Sequence, residues 1–214
     1  MSQEVVAELA PNGILRAGIN MSNPLLVTGK TDAGDPAGVS PDMARAIAER
    51  LGVEVKYVPF PSPGVLADAV DDDAYDIGLI AAEPARAESI AFTSAYVEIE
   101  ATYLVPAGSP LAVIDDVDRP GIQIAVSDRS AYDLYLTRAL KHGELHRAKG
   151  LGGAVDLFTS AKLDALAGLR PALIEDVKTM PGARILDGNY TTVQQAIGTQ
   201  PRNSAAATFL QDSV

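Results

Sequence analysis

The chain has 214 residues, of which 47% are hydrophobic and 21% are charged, a composition typical of a folded globular protein and not of a disordered one. Its formal net charge of -11, without long runs of Lys or Arg, argues against binding to nucleic acid. The sequence has no cysteine and only His142 and His146 as histidines, so we expect no disulfide, no metal site and no cofactor.

The first half of the chain alternates apolar strand patterns with helical patterns, which predicts βαβ units and a mainly parallel sheet. Ser40, Pro41 and Asp42 predict a helix start, with Ser40 as the N-cap and Pro41 as the first helical residue. Gly52 predicts the end of this helix. The other elements predicted in this half are strands at 14–19, 53–58 and 76–80 and a helix at 63–70.

The second half repeats this alternation in a smaller lobe. Its predicted elements are a strand at 121–126, helices at 130–141 and 153–161, a strand at 163–169 and a helix from Pro171. Extended stretches at 97–107 and 191–200 are predicted to cross between the lobes, and a last helix follows them. The expected domains are therefore lobe 1 at 1–102, lobe 2 at 103–195, and a return to lobe 1 at 196–214.

Two open α/β sheets predict ligand groups at the carboxyl ends of their strands, in a cleft between the lobes. The two crossing strands would then act as a hinge. The sequence has no run of about 18 apolar residues of the kind that spans a membrane. Its first residues, MSQEVVAELAPNG, lack the basic and then apolar pattern of a signal peptide.

Three stretches resemble the type II periplasmic solute-binding proteins of ABC importers, in particular the amino-acid-binding family 3 branch. They are GVSPDMARAIAERLGVEVKYVPF, YDIGLIAAEPARAESIAFTSAYVEIEATYLVPAGSPL and DVDRPGIQIAVSDRSAYDLYL. The resemblance implies a two-lobed α/β fold with two open mixed sheets joined by two hinge strands. It also implies a monomeric, non-enzymatic protein, periplasmic or extracellular and lipid-anchored, that delivers a small anionic or zwitterionic metabolite to the importer's membrane subunits.

Arg86 matches the arginine that pairs with the ligand carboxylate in amino-acid-binding members of that family. Guanidinium suits this role because it offers a planar, bidentate fork and stays charged at any working pH. The alternative is that Arg86 stabilises a surface turn and pairs with Glu83 or Glu88.

In the second lobe, SDRSAYD matches a loop at a helix N-terminus where the family grips its ligand. Backbone N–H groups and the helix dipole attract an anion at such a place. Ser130 keeps a hydroxyl there, either for the ligand or as an ordinary N-cap. Arg129 stands where glycine is common in the family, and it is expected to add a positive group.

The main departure from the family is at Leu169, where amino-acid-binding members have an aspartate for the ligand's ammonium group. An α-amino group would lack its counter-charge here, which argues against a standard amino acid as ligand. Arg170, at the start of a predicted helix, opposes the helix dipole. It is expected either to bind the ligand, clamping an anion together with Arg86, or to face solvent.

Four further residues are expected near the ligand in the first lobe. Asn20 and Asn23 follow the first strand, where the family has an aromatic lid, and they either donate hydrogen bonds to the ligand or shape a turn. Tyr96 either lines the cleft or packs beside the hinge strand. Ala81, like the residue after it, replaces a hydroxyl residue of the family, which predicts a fairly apolar pocket.

Two other functions remain open. A cyclohexadienyl-dehydratase-like enzyme would share this fold but needs a buried general acid, and the candidate carboxyls Asp128 and Glu83 are predicted to lie in solvated loops. The ligand-sensor domain of a cytoplasmic regulator would also share the fold. The sequence lacks the helix-turn-helix and the basic surface that such a regulator uses on DNA.

Overall fold

A computed structural model describes residues 2–214. The chain divides into two compact units, of which the first comprises Met1–Val97 and Gln194–Val214 and the second comprises Glu98–Val193. The first unit is therefore built from two separate stretches of sequence, and the second from one continuous stretch.

The first unit contains most of the last strand and the last helix, and it contains the helices and strands that precede residue 97. In chain order these are α1 (Gln3–Leu9), β1 (Ile14–Asn20), β2 (Gly29–Lys30), β3 (Pro36–Ala37), α2 (Val39–Leu51), β4 (Glu54–Phe60), α3 (Pro63–Asp68), β5 (Ile77–Ala82) and β6 (Ala91–Phe92). The second unit contains β7 (Val97–Val105), β8 (Gln123–Ser127), α4 (Ala131–Ala139), β9 (Glu144–Ala148), α5 (Gly150–Ser160), β10 (Ala165–Leu169), α6 (Arg170–Asp176) and β11 (Arg184–Ile185), with 3-10 helices at Ile114–Val117 and Val177–Thr179. The chain returns through β12 (Thr191–Thr199) and ends in α7 (Ser204–Gln211).

The sheet of the first unit has the strand order β4-β1-β5-β12. Strand β1 is parallel to both β4 and β5, whereas β12 is antiparallel to β5, and β6 pairs with β12. The small hairpin β2-β3 forms a separate sheet. Because β1 and β5 are parallel neighbours, their carboxyl ends lie at the same edge of the sheet.

Each face of this sheet buries an apolar cluster. On one face, Leu15 and Ile19 of β1 pack with Ile47 of α2 and Leu210 of α7. The other cluster surrounds Tyr75. Strands β1 and β5 carry glycine beside its ring, where added Cβ atoms would lie 3.1 Å (Gly18) and 2.9 Å (Gly78) from ring carbons. Two glycines thus make room for one large aromatic side chain.

The sheet of the second unit has the order β7-β10-β8-β9, with β11 paired to β7. Strand β8 is parallel to both β9 and β10, and β7 is antiparallel to β10. The expected α/β fold with mixed pairing is confirmed. The pairing is parallel around β1 and β8 and antiparallel around β7 and β12, so the expectation of a mainly parallel sheet is wrong.

The predicted start of α2 is wrong. Gly38, not Ser40, is the N-cap, and Val39 rather than Pro41 is the first helical residue. Gly38 adopts a φ of 132°, and an added Cβ would lie 2.5 Å from the carbonyl oxygen of Leu26. The N–H of Ser40 donates to that same carbonyl at 3.1 Å, so a contact with the preceding loop replaces the side-chain cap.

Several elements were not predicted from the sequence: α1, the hairpin β2-β3, the short strands β6 and β11, and β9. Strand β9 has the sequence ELHRA, in which charged and apolar residues are mixed. Its extended conformation is stabilised by five register partners on β8. This strand depends on its neighbour more than on its own residues.

Candidate functional site

The residues predicted to bind a ligand are distributed over both units. In the first unit, Asn20 ends β1, and Ala81 lies at the end of β5. Asn23 and Arg86 lie in the loops that follow these two strands. Since β1 and β5 are parallel neighbours, the fold places these four residues at one edge of the sheet, the edge where open α/β sheets carry ligand groups.

Arg86 is buried, with 6% of its surface exposed. It lies in a compact turn in which the N–H of Arg86 donates to Glu83 O, and its own carbonyl accepts from the N–H groups of Ser89 and Ile90. Its Nη1 donates to Ala81 O at 2.7 Å. The turn and this hydrogen bond hold the guanidinium against the carboxyl end of β5.

Asn20 and Asn23 use their side-chain oxygens to shape the loop after β1. Asn20 Oδ1 accepts from the N–H and the hydroxyl of Ser22, at 3.2 and 2.8 Å. Asn23 Oδ1 accepts from the N–H of Leu25 at 3.1 Å. Both are Asx-type turns, so the Nδ2 groups are the atoms through which these residues would contact a ligand.

Tyr96 packs against the apolar cluster that contains Leu15 and Ile19, and its hydroxyl lies 3.0 Å from Ser40 Oγ. Burial raises the pKa of Tyr96, while the hydrogen bond with Ser40 acts in the opposite direction. Ala81 is buried and contributes its carbonyl oxygen to Arg86. These contacts give both residues a part in packing within the first unit.

In the second unit, the loop Ser127–Ser130 connects the carboxyl end of β8 to α4. Ser130 is the N-cap of α4, and its Oγ accepts from the N–H of Asp133 at 3.1 Å. Arg129 adopts a left-handed conformation with a φ of 55°, which is unfavourable for a residue with a side chain by roughly 1–2 kcal/mol. Ser127 and Ser130 are both buried.

Asp133 was not among the predicted site residues, although it holds this loop. Its Oδ2 accepts from the N–H of Arg129 at 2.8 Å, and its Oδ1 accepts from Arg147 Nε at 3.0 Å. The pattern of a serine followed three residues later by an acid was a local signal for this arrangement. Arg147 had no such signal, because it reaches Asp133 from β9.

Leu169 and Arg170 lie where β10 ends and α6 begins. Leu169 is buried at the N-cap position of α6 and makes no side-chain cap. Arg170 Nε donates to Glu100 Oε2 at 2.6 Å, and its Nη2 donates to Gly188 O. The positive charge of Arg170 is therefore already balanced within its unit, and an anionic ligand would compete with Glu100 for it.

No metal centre is indicated, since residues 2–214 contain no group of three or more His, Asp or Glu side chains placed to hold an ion. Over the same part of the chain, no helix is both long enough and apolar enough to cross a membrane.

Solved structures with the same fold show what the chain resembles. The arginine-bound form of a truncated ArgBP from T. maritima matches with a TM-score of 0.77 at 20% identity, over 96% of this chain and 97% of that one. A putative ABC-transporter binding component from Wolinella succinogenes, complexed with lysine, matches with a TM-score of 0.77 at 20% identity, over 94% and 88% of the two chains. The ancestral amino acid-binding protein AncCDT-1, a precursor of cyclohexadienyl dehydratase, matches with a TM-score of 0.77 at 20% identity, over 97% and 91%.

These likenesses confirm the predicted type II periplasmic-binding-protein fold. No curated protein matches the sequence. The sequence model of the bacterial extracellular solute-binding proteins, family 3, matches residues 15–206, which is most of the chain. The chain therefore belongs to the bacterial extracellular solute-binding proteins of family 3.

Proposed function

We propose that this chain is the substrate-binding protein of an ABC importer. It captures a small carboxylate or amino-acid-like metabolite with groups from both units, and it closes over this metabolite by a hinge motion in β7 and β12. It acts as a monomer in the periplasm, or outside the cell on a lipid anchor, and delivers its ligand to the importer's membrane subunits. Family membership and the binding proteins among the structural neighbours support this proposal.

The observation that carries the proposal is the placement of Arg86. It is a buried guanidinium held at the carboxyl end of β5, next to the end of β1. A charged group is expensive to bury unless it is paired and hydrogen-bonded, and a guanidinium suits bidentate contact with a ligand carboxylate.

Leu169 bears on which carboxylate is bound. A ligand with an α-ammonium group needs an acidic partner, and β10 ends in this buried apolar side chain. Two acids of the second unit already form ion pairs within the protein: Glu100 with Arg170, and Asp133 with Arg147. This distribution of charge favours a carboxylate without an α-ammonium group over a standard amino acid.

We propose a binding role rather than an enzymatic one. A dehydratase needs a general acid whose pKa is raised by burial. Asp128, one of the carboxyls considered for that role, is exposed to solvent. The neighbours named above are binding proteins, including the precursor of the dehydratase.

The test combines a ligand screen with substitution of Arg86. Thermal shift compares L-arginine, L-lysine and L-glutamine with succinate and malate, and calorimetry then measures the affinity for the compound that stabilises the protein most. We expect Arg86→Ala to weaken this affinity by about tenfold to a hundredfold, the range of a charge-assisted hydrogen-bonded pair. Arg86→Lys should recover part of it, because the charge remains and the fork is lost.

The control is Arg45→Ala, which removes an exposed arginine on α2 that pairs with Asp42 and Glu49. This variant should bind with the wild-type affinity. Undiminished affinity of a folded Arg86→Ala protein would remove Arg86 from the site. Stabilisation by the amino acids alone would contradict the preference inferred from Leu169.

A further inference from the structure

Asp133 joins three parts of the second unit through one buried carboxylate. Only 2% of the surface of Asp133 is exposed to solvent. Oδ2 accepts from the backbone N–H of Arg129 at 2.8 Å, and both oxygens accept from Arg147 Nε, at 3.0 and 3.2 Å. The carboxylate thus connects the loop Ser127–Ser130 and the first turn of α4 with β9.

The loop needs such a connection because its conformation is unfavourable by itself. Arg129 has a φ of 55°, a region that residues with a Cβ rarely adopt. The hydrogen bonds are reciprocal, since Asp133 accepts from the loop while the N–H of Asp133 donates to Ser130 Oγ at 3.1 Å. Breaking either bond would weaken the constraint that holds Arg129 in this conformation.

Arg147 is itself held in place. Its Nη2 donates to Thr137 Oγ1 at 2.8 Å, one turn further along α4 from Asp133. The hydroxyl of Thr137 in turn donates to the backbone carbonyl of Asp133 at 2.8 Å. The guanidinium therefore fixes the carboxylate from β9, the strand whose residue Ala148 accepts from the N–H of Asp128 at 2.9 Å.

We propose that Asp133 is a positioning residue for ligand binding: it holds the backbone of Ser127–Ser130 in the conformation that binds an anionic group, and Arg147 holds Asp133. The inference rests on the proposed function, because it takes this loop as the binding loop of the second unit. The carboxylate acts through the loop and does not contact the ligand.

The experiment uses the full chain with Asp133→Asn and Arg147→Met, and it has two readouts. Amide hydrogen exchange of residues 128–131, measured without any ligand, reports the loop. Calorimetry with L-arginine and with succinate reports binding. We expect Asp133→Asn to speed exchange in the loop by at least about tenfold and to weaken the better-bound probe by roughly tenfold or more, because a displaced loop loses alignment with the anion. Arg147→Met should change both in the same direction.

Asp116→Asn is the matched control. Asp116 is a buried carboxylate of the same unit that accepts from the N–H groups of Ala112 and Val113, at 2.7 and 3.1 Å, and pairs with Arg119. It precedes β8, whereas the binding loop follows β8. This variant should lower stability without changing loop exchange or affinity.

Each outcome decides the proposal. The proposal is overturned if loop exchange is unchanged in both variants, or if exchange becomes faster while the affinity is undiminished. It is also overturned if Asp116→Asn loses as much affinity as Asp133→Asn. If Asp133→Asn does not fold, Arg147→Met gives the answer, since its side chain is 40% exposed and its loss is tolerated more readily. If the wild type binds neither probe, the proposed function is in question, and the exchange of the loop still tests the positioning by Asp133.

Discussion

At the scale of single residues, acidic side chains serve as caps for backbone N–H groups despite the strongly negative net charge. Asp116, Asp118 and Asp133 each accept from backbone N–H groups of a loop in the second unit. Since a carboxylate accepts several hydrogen bonds at once, one acid can fix a turn that contains no regular structure. These three contacts define the loops around β8.

Asp118→Asn should destabilise the protein at neutral pH. Burial alone would raise the pKa of Asp118, but the N–H groups of Gly143, His142 and Lys141 lower it below its usual value. A carboxyl with a lowered pKa in the folded state stabilises the protein above its unfolded pKa of about 3.9, and this stabilisation is lost as the pH falls through the folded pKa. We expect the variant to lose about 1 kcal/mol of unfolding free energy at pH 7.

Urea unfolding at pH 7 and at pH values below about 4 measures this effect. The difference between the wild type and Asp118→Asn should shrink in acid. Asp115→Asn, which changes an exposed acid in the same unit, serves as the control and should show little change at either pH. A difference that stays constant with pH would mean that the charge of Asp118 is not the stabilising feature.

At the scale of secondary structure, helix ends are often satisfied by partners from elsewhere in the chain. Helix α7 has Asn203 as its N-cap, without a side-chain cap bond. The N–H of Ala206, in its first turn, donates instead to Glu8 Oε2 of α1 at 2.7 Å. The N-terminal helix thus caps the C-terminal one within the first unit.

Glu8→Ala should therefore loosen α7. The N–H of Ala206 would lose its acceptor, and the helix dipole would lose a favourable negative charge, at a cost of about 1 kcal/mol. Hydrogen exchange of residues 204–208 should become faster than in the wild type. Glu8→Gln, which keeps an acceptor oxygen, should show a smaller change, and equal exchange in all three proteins would refute the capping role.

At the scale of the whole molecule, the two units differ in how the chain builds them. The first requires residues 194–214, because β12 pairs with β5 and because Ile197 and Leu210 are fully buried in its core. The second is continuous from Glu98 to Val193 and buries a cluster of its own around Phe158 and Leu166.

Ending the chain at residue 193 should leave the second unit folded and unfold the first. The first unit would lose most of a strand of its sheet and a helix of its core, whereas the second would keep all of its residues, Glu98–Val193. Hydrogen exchange should show slow exchange in 98–193 and fast exchange in 2–97. If residues 2–97 of the shortened chain exchanged as slowly as they do in the full-length protein, this division would be contradicted.

Much of the fold could be predicted from the sequence because strands and helices have local signatures. The strands β1, β4, β5 and β8 lie where alternating or continuous apolar runs predicted them. The same apolar runs predicted that Asn20 and Ala81 lie at strand ends. Strand β9 could not be predicted, because its stabilising hydrogen bonds come from β8 rather than from its own residues.

The sequence by itself determined the order of elements, the α/β class and the positions where ligand groups could stand, since these depend on periodicity and on turn residues that are close together in the chain. Only the tertiary structure decided the partners of the polar groups. Ser40 pairs with Tyr96 instead of capping its helix, Arg170 pairs with Glu100, and Asp133 pairs with Arg147. Such pairs join residues that are far apart in sequence, and a hydrogen bond depends on distances that only the folded chain sets.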